Sequence, residues 1–284
     1  MSDLVVTAVD GGPCLIEDEG RPGHAAIGVG ASGAADRASY SLGNRMVGNA
    51  PGAAAVEVVL GGLEVQAAGY VTVCVTGAPT PLRVDSRAEP SGAVLTLRPG
   101  QRLRLGTPPS GLRSYVAIRG GVDVASVLGS RSHDQLAALG PAPLVPGTTL
   151  PVGHAAAGPI LVDAVSPASY DREAELRVVP GPRADWFADP GQLVRDTWVV
   201  GPESNRVGLR LTGTPLAAVR DRGQLPSEGA LRGAIQVPPD GLPVVFGPDH
   251  PVTGGYPVVG VIVDADIDRL AQLRPGDPLR LRWK

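Results

Sequence analysis

Small polar residues followed by arginines mark the first segment of the sequence that could bind an anion. Ser32, Gly33 and Asp36 precede an apparent helix. Small residues at such a point leave main-chain N–H groups open to an anionic oxygen. Arg37 or Arg45 could hold a carboxylate or phosphate through two hydrogen bonds, so we expect all five residues to bind substrate. The alternative is that Ser32 and Asp36 only cap the helix, because both residue types are preferred at that position.

A second candidate anion site follows the apolar run over 115–118. Gly120-Gly121 predicts a turn, and residues 129–134 combine two hydroxyls, an arginine and a possible helix cap. We expect Ser130 and Arg131 to contact a carboxylate or a phosphate. A plain helix N-terminus would account for the same residues equally well.

Candidate catalytic groups lie further along the chain, in loops rich in glycine and proline. Asp249 beside His250 could form a general base, and Glu228 is a third candidate, so we expect these three residues to be catalytic. A histidine in a loop is often solvated or bonded to the main chain, which leaves the role of His250 open. The substrate-binding residues that we expect in this half are Arg206, Gln236, Thr253, Gly254, Gly255 and Tyr256.

Several kinds of chemistry are disfavoured by what the sequence lacks. The only lysine is Lys284, so the body of the chain has no phosphate-loop, Schiff-base or biotin-carrying lysine. The four histidines do not approach one another at metal-ligand spacing, and we therefore expect no metal site. The sequence also has no Gly-x-Ser-x-Gly segment, which argues against a serine hydrolase.

Composition predicts a soluble globular protein that does not bind nucleic acid. The 284 residues carry a net charge of −3, so there is no basic excess to neutralise phosphates. Aromatic residues, at 4%, offer few platforms for base stacking. No apolar run of about 18 residues is present and the N-terminus does not read as a signal peptide, so we expect no membrane span and a cytoplasmic location. Cys14 and Cys74 sit in apolar runs and are expected to be buried free thiols.

Short β-branched runs between 39 glycines and 29 prolines predict a mainly β protein with few short helices. Helical spacing is confined to Asp36–Val47 and to a turn or two at Asp134–Leu139 and Asp266–Leu273. The expected strands are Leu4–Val9, Ala55–Val59, Val71–Thr76, Val94–Leu97, Tyr115–Ile118, Leu176–Val179, Thr197–Val200, Val244–Phe246 and Val258–Asp264.

An internal repeat predicts two related lobes. Leu97–Leu105 recurs as Leu273–Leu281, and each copy places a Leu-Arg-Pro-Gly turn before a possible strand. A weaker echo relates residues 36–42 to 205–211. We therefore expect two β-barrel lobes related by an internal repeat, over residues 1–170 and 175–284, joined through a stretch rich in proline, glycine and alanine.

Further segments stand in the order of a known family. They are Glu17–Gly23, Ala31–Asp36, Ala38–Asn49, Glu57–Gly62, Ala117–Asp123, Leu128–Ser132, Val179–Pro182, Asn205–Leu211, Ser227–Gly229, Gly233–Gly241 and Thr253–Pro257. In these segments, which span nearly the whole chain, the sequence resembles the allophanate hydrolase subunit 2 group, also called the biotin-dependent carboxyltransferase family. It departs from the family at Ala31, where Pro is usual, at Asn205, where Asp is frequent, and at Asp249–Val252, which replaces a common Asp-x-Gln-Thr.

The resemblance implies cyclophilin-like β-barrel lobes and a role like that of the C-type subunit of 5-oxoprolinase. That role is ATP-dependent opening of the 5-oxo-L-proline ring to L-glutamate in a complex with a subunit-B-like partner and a third, subunit-A-like protein, with ATP bound here or by a partner. One alternative is carboxyl transfer, as in urea carboxylase or allophanate hydrolase subunit 2. Biotin would then have to arrive on another chain, because Lys284 is the only lysine. The other alternative is a non-catalytic regulator that binds a partner.

Overall fold

The computed structural model describes residues 3–154, 158–170, 173–219 and 225–284. The chain divides into two compact units. The first unit consists of Met1–Arg21, Asp36–Asp134 and Ala138–Tyr170, and the second of Pro22–Ala35, Gln135–Ala137 and Asp171–Lys284. The second unit thus includes two short segments from earlier in the chain. The lobe boundaries of 1–170 and 175–284 remain a prediction from the sequence.

The first unit contains two antiparallel sheets. Its strands are β1 (Leu4–Val9), β2 (Cys14–Glu17), β3 (Ala55–Val59), β4 (Leu63–Ala67), β5 (Val71–Gly77), β6 (Leu82–Val84), β7 (Arg87–Glu89), β8 (Val94–Leu97), β9 (Arg102–Leu105), β10 (Arg113–Ile118) and β11 (Thr149–Leu150). One sheet has six strands in the order β11-β1-β4-β9-β6-β7. The other has five in the order β2-β3-β10-β5-β8. Each is held by antiparallel pairs, such as β1 with β4 and β10 with β5.

The two sheets of the first unit share one apolar core. Strand β4 buries every second residue, as expected when one face of a strand meets the core and the other does not. Leu4 and Leu63 from the six-stranded sheet belong to the same buried cluster as Val56 and Ile118 from the five-stranded sheet. This core fixes the sheets on which the candidate loops of the first unit are mounted.

Helix α1 (Arg37–Met46) packs against β5 and β10. The helix begins after Asp36, whose carboxylate accepts a hydrogen bond from the Ser39 N–H at 2.9 Å. That bond satisfies one of the free N–H groups at the start of the helix. Thr76 on β5 donates to the Ser39 carbonyl at 2.7 Å and holds the helix to the sheet. The helix predicted over 36–47 is confirmed.

The second unit is built around a closed β-barrel. Its barrel strands are β12 (Ala174–Pro180), β13 (Thr197–Val200), β14 (Gly208–Thr212), β16 (Ala234–Gln236), β17 (Val244–Phe246), β19 (Val258–Ile262) and β20 (Pro278–Trp283). They follow the order β12-β19-β16-β17-β14-β13-β20 around the barrel. Strands β12 and β20 run parallel, and the short strands β15 (Glu228–Gly229) and β18 (Thr253–Gly254) pair separately from the barrel.

Short helices accompany the barrel. They are α2 (Gln192–Arg195), α3 (Asp264–Leu270) and single 3₁₀ turns at Ala25–Ile27 and Ala184–Trp186. Trp198 is fully buried in the barrel core, and its indole N–H donates to the Leu193 carbonyl at 2.9 Å, which fixes α2. No helix among the described residues is long and apolar enough to cross a membrane.

The expectation of a mainly β protein with few helices and a barrel is confirmed. The two copies of the Leu-Arg-Pro-Gly segment form the same turn. Gly100 and Gly276 both adopt a positive φ, at 84° and 90°, which favours glycine. The Arg98 N–H donates to the Gln101 side chain at 2.9 Å, and the Arg274 N–H donates to Asp277 at 2.8 Å. This likeness is local, and cyclophilin-like lobes related by a repeat remain a prediction.

The helical turn predicted at 134–139 is wrong. Asp134 and Leu139 instead pair in an isolated antiparallel bridge, with the Asp134 N–H donating to the Leu139 carbonyl at 2.9 Å. Ala138 adopts φ +52° and Gly140 φ +81°, and left-handed residues of this kind interrupt a helix. The apolar spacing that indicated a helix belongs to a tight turn.

Candidate functional site

A buried ion pair between Arg206 and Asp249 lies at the centre of the candidate site in the second unit. Arg206 comes from the loop between β13 and β14, and Asp249 from the loop after β17. Arg206 Nε lies 2.8 Å from Asp249 Oδ2, and Nη2 lies 2.9 Å from Oδ1, so the pair is bidentate. The two side chains are only 4% and 0% exposed. Because each buried charge depends on the other, the pair locks the two loops together.

The loop around Ser32 is attached to this ion pair. Ser32 Oγ donates to Asp249 Oδ1 at 2.7 Å, and the Gln135 N–H donates to Asp249 Oδ2 at 3.0 Å. Arg206 Nη2 also donates to the Gly33 carbonyl at 2.7 Å. Ser32 and Gly33 both adopt a positive φ, at 56° and 92°, so the chain turns sharply here. The structure therefore brings together four residues that the sequence predicted separately: Ser32, Gly33, Arg206 and Asp249.

The Asp249 carboxylate and the His250 ring have separate partners. His250 Nδ1 lies 2.8 Å from the carbonyl oxygen of Pro251, and its ring stacks on Phe246 with centroids 5.8 Å apart. The Asp249 carboxylate accepts hydrogen bonds from Arg206, Ser32 and the Gln135 main chain. This geometry suits Asp249 to holding loops in place, and the catalytic roles of both residues stay predictions.

Glu228, the third predicted catalytic residue, pairs with Arg183. Arg183 Nε donates to Glu228 Oε2 at 3.1 Å, and Arg183 Nη2 donates to Oε1. The hydrogen bond from Arg183 lowers the pKa of the Glu228 carboxyl. Glu228 also lies on β15, directly opposite Gly254 of β18. The structure thus brings Glu228 together with Thr253 and Gly254, which the sequence predicted to bind substrate.

An apolar cavity of about 800 Å³ opens beside the pair of strands β15 and β18. Gly255 and Tyr256 line it, and Gln236 fixes the wall by donating from its side-chain amide to the Tyr256 carbonyl at 3.1 Å. Its other described walls include Trp186, Phe187, Leu216, Val237, Pro238 and Pro257. An apolar wall with a few polar atoms is typical of small-molecule sites. The substrate-binding roles of Gln236, Gly255 and Tyr256 stay predictions.

Asp18 organises the predicted anion loop of the first unit. Its carboxylate accepts hydrogen bonds from Ser130 Oγ and the Arg131 N–H, both at 2.6 Å, and from Ser132 Oγ at 2.7 Å. The loop over 129–132 is therefore wrapped around a buried carboxylate. Asp18 lies in the segment that resembles the family, but nothing in its spacing pointed to this partner, because 112 residues separate it from Ser130.

Arg131 reaches a small polar cavity in the first unit. Its side chain is 37% exposed, and it donates to the Val124 carbonyl at 2.7 Å and to Asp123 Oδ1 at 2.9 Å. The cavity, about 260 Å³, is walled by Arg131, Asp123, His154 and the small residues of 50–54 and 120–122. A half-exposed guanidinium in a cavity of this size can bind a small carboxylate.

Asp36 takes part in a buried network beneath α1. The Tyr115 hydroxyl accepts a hydrogen bond from the Asp36 N–H and donates to Glu57 Oε2, both at 2.7 Å. Burial, together with the carboxylates of Glu57 and Asp36, raises the pKa of Tyr115 far above its ordinary value. Arg113 Nε completes the network by donating to Glu57 at 3.2 Å. These contacts fit the capping role of Asp36, and its predicted substrate role is untested.

Arg37 and Arg45 both lie on helix α1. Arg45 donates to Ser41 Oγ at 2.9 Å on the exposed face of the helix. Arg37 is half-buried. Both predicted roles in substrate binding stay predictions.

The described residues contain no group of three or more His, Cys, Asp or Glu side chains that could hold a metal ion. Burial raises the pKa of Cys14 to about 12 and that of Cys74 to about 11, so neither thiol forms a thiolate readily. Both cysteines are buried and free, as the sequence predicted.

Three further residues near these sites were missed from the sequence: Asp18, Arg183 and Arg232. Arg232 donates from Nη1 to the Ala34 carbonyl at 3.3 Å and from Nη2 to the Ala35 carbonyl. The one available signal was position, because Arg183 and Arg232 both lie beside segments that resemble the family.

Comparison with known families and structures places this chain among carboxyltransferase-like proteins. A family model described as "Carboxyltransferase domain, subdomain A and B" matches residues 27–283. The C-type subunit of the 5-oxoprolinase of Escherichia coli (strain K12) is 36% identical over 269 residues, which cover 93% of this chain and 86% of the relative. The C-type subunit of the Haemophilus influenzae 5-oxoprolinase is 31% identical over the same shares of both chains. A urea amidolyase of Lachancea kluyveri is 30% identical over 92% of this chain but only 16% of its own length.

Solved structures agree with these matches. The crystal structure of TTHA0988 superposes with a TM-score of 0.88 at 29% identity and covers 99% of this chain. This chain spans only 56% of that one. The urea amidolyase of K. lactis superposes with a TM-score of 0.87 at 27% identity, over 98% of this chain and 18% of that enzyme.

Proposed function

Because the chain belongs to the family of carboxyltransferase domains with subdomains A and B, we propose that it is the C-type subunit of a 5-oxoprolinase. The observation that carries the proposal is the similarity to the C-type subunit of the E. coli 5-oxoprolinase along nearly the full length of both chains. The reaction is the opening of 5-oxo-L-proline to L-glutamate, driven by ATP hydrolysis. We place this reaction in the cytoplasm.

The chain works with partner subunits. Its relatives are each named as a single subunit of 5-oxoprolinase, which supports a complex with a B-like protein and a third, A-like protein. An unactivated lactam opens readily only when its oxygen is first phosphorylated, and phosphoryl transfer needs cations and N–H donors already in place. This chain supplies guanidinium groups and main-chain amides but no lysine before Lys284. We therefore assign any contact between a phosphate-loop lysine and ATP to a partner subunit.

The geometry supports separate tasks for the two units. In the first unit, Arg131 faces a cavity of about 260 Å³, which suits a small carboxylate such as 5-oxoproline. In the second unit, Arg206 and Asp249 hold the Ser32 loop. The ion pair of Glu228 with Arg183 holds strand β15 beside the apolar cavity. These residues hold the loops that would surround a ligand.

The test is reconstitution of the complex. The chain should be co-expressed with the A-like and B-like proteins of the same genome, purified, and assayed for ATP hydrolysis and glutamate formation with 5-oxoproline. We expect both products in equal amounts, and neither when this chain is omitted. Full activity without this chain, or activity of this chain alone, would contradict the proposal.

Carboxyl transfer is a second candidate function, favoured by the family model and by the urea amidolyase relatives. The biotin would be attached to another chain, since the only lysine here is Lys284. The discriminating assay supplies a biotinylated carrier protein, bicarbonate, ATP and urea. Transfer of labelled carboxylate to urea would support this function, and transfer that does not depend on the chain would exclude it.

A further inference from the structure

Two neighbouring buried residues in the Ser32 loop have main-chain N–H groups with no hydrogen-bond acceptor among the described residues. Gly33 and Ala34 are both buried residues. Within the part of the chain that the structure describes, the N–H groups of Gly33 and Ala34 donate to no acceptor. More than nine-tenths of buried N–H groups in native proteins are paired, and a lost bond of this kind is costly. Two consecutive amides in this state indicate a place where an external acceptor binds.

Two arginines hold the carbonyls of Gly33 and of the two residues that follow it. Arg206 donates to the Gly33 carbonyl at 2.7 Å, and Arg232 donates to the Ala34 carbonyl at 3.3 Å and to the Ala35 carbonyl. The described peptide bonds are trans, so each N–H points away from the carbonyl of the preceding residue in the same peptide plane. Because the Gly33 carbonyl faces Arg206, the Ala34 N–H faces the opposite side. Arg206 thus orients the Ala34 N–H, and Arg232 anchors the two peptide groups that follow Ala34.

The bond from Ser32 stabilises an unusual backbone. Ser32 is not glycine, yet it adopts φ +56°, and Gly33 follows with φ +92°. A left-handed non-glycine residue is strained and persists only where the surroundings impose it. Ser32 Oγ bonds to Asp249, which is held in turn by Arg206. The strained turn, the ion pair and the Gly33 and Ala34 amides therefore form one assembly.

We propose that the main-chain N–H groups of Gly33 and Ala34 form an oxyanion-binding site, and that Arg206 and Arg232 are its positioning residues. The ligand is an anionic oxygen, either of a carboxylate or of a phosphoryl group. Adjacent N–H groups suit such an oxygen because charge-assisted hydrogen bonds are the strong ones. The choice of 5-oxoproline as one probe rests on the proposed function, whereas the site itself rests on the loop.

The direct test observes the amides themselves. The full chain, labelled with ¹⁵N and ²H, is titrated with 5-oxo-L-proline in one series and with inorganic phosphate in another, alone and with its unlabelled partner. We expect the Gly33 and Ala34 amide protons to shift downfield and to saturate, with the more effective probe identifying carboxylate or phosphoryl as the ligand oxygen. Gly100, whose N–H already donates to the Ala67 carbonyl at 2.7 Å, serves as the internal control and should not move.

Variants separate the amides from the side chains. Ala34→Pro removes one N–H and should weaken binding of the better probe about tenfold, whereas Ala34→Gly keeps the N–H and should bind like the parent chain. Arg232→Met should weaken binding, and Arg232→Lys should restore part of it, because a lysine can still donate to one carbonyl. The arginine pair keeps the proposal testable if the proline variant does not fold.

Two results would overturn the proposal. One is the absence of saturable shifts at Gly33 and Ala34 with both probes, in the chain alone and in the complex. The other is equal affinity for folded Ala34→Pro and Ala34→Gly, or for Arg232→Met and Arg232→Lys. Neither outcome bears on the proposed function, since oxoproline turnover by the complex is measured separately. If the complex turns over 5-oxoproline while the Gly33 and Ala34 amide signals do not shift, only this site is rejected. If the amide signals shift but no turnover occurs, only the proposed function is rejected.

Discussion

Removing Arg206 should destabilise the second unit strongly, because its partner would be left charged in the interior. The side chains of Arg206 and Asp249 are 4% and 0% exposed, and two hydrogen bonds of 2.8 and 2.9 Å join them. Deleting one member of a buried pair costs about 3–5 kcal/mol. Total stabilities are about 5–15 kcal/mol, so Arg206→Met should lose a large share of the free energy of unfolding. Asp249→Leu should lower the free energy of unfolding similarly, because it removes the carboxylate that pairs with the buried Arg206.

The double variant measures the coupling energy between Arg206 and Asp249. In Arg206→Met/Asp249→Leu neither charge remains buried, so the loss should be smaller than the sum of the single losses by about 2–3 kcal/mol. Arg195 and Asp189 form a control pair, since their side chains are 60% and 54% exposed. Asp189→Asn should leave the urea midpoint nearly unchanged, because an ion pair on the surface contributes little to stability.

Urea unfolding followed by tryptophan fluorescence reports these values, because Trp198 lies in the barrel core. The midpoint and slope are compared for the parent chain, both single variants, the double variant and Asp189→Asn. The reasoning fails if Arg206→Met unfolds at the same urea concentration as Asp189→Asn. It also fails if the losses of the two single variants add up in the double variant.

Three further outcomes follow from the structure. The hydrogen bonds from Arg177 lower the pKa of Asp266 from its ordinary 3.8, so the carboxylate stabilises the fold above that pH and loses this contribution as the pH falls through its lowered value. Asp266→Asn should therefore cost about 1.5–3 kcal/mol near neutral pH, and urea unfolding should find that the difference disappears in acid. Tyr115→Phe should cost about 1–3 kcal/mol in the same assay, since it removes a buried hydroxyl that both accepts and donates. In the reconstituted complex, Arg131→Ala should raise KM for 5-oxoproline about tenfold without unfolding the chain, and an unchanged KM and kcat would reject its role. Arg102→Ala is the matched control, because Arg102 is an exposed arginine of the same unit that pairs with Glu64.

Much of the fold could be predicted because glycine and proline separate its strands. Thr197–Val200 and Val244–Phe246 form strands with the predicted bounds, since β-branched residues between turn formers suit few other structures. Arg87–Glu89 was missed because a short, exposed, charged strand has no apolar pattern. The helical turn predicted at 134–139 was wrong because the apolar spacing of this segment resembles that of a helix. Only the left-handed conformation of Ala138 distinguishes the observed tight turn from a helix.

The candidate site was predicted as separate residues and not as an arrangement. Ser32, Arg206 and Asp249 were each selected from their type and neighbours. Their grouping depends on contacts across 217 and 43 residues of chain, which a single sequence does not encode locally. Arg232 was missed for a different reason, because its partners are main-chain carbonyls and its own sequence neighbourhood resembles that of any surface arginine.

The segments 22–35 and 135–137 belong to the second unit although they are synthesised with the first. A gene cut near residue 171 would yield a barrel fragment whose Asp249 lacks the Ser32 hydroxyl and the Gln135 amide. During synthesis, these two segments leave the ribosome long before the barrel residues that they contact. Contacts between residues so distant in sequence form slowly. The barrel half is therefore a poor module for shuffling or separate expression, since two of its segments are encoded within the other half.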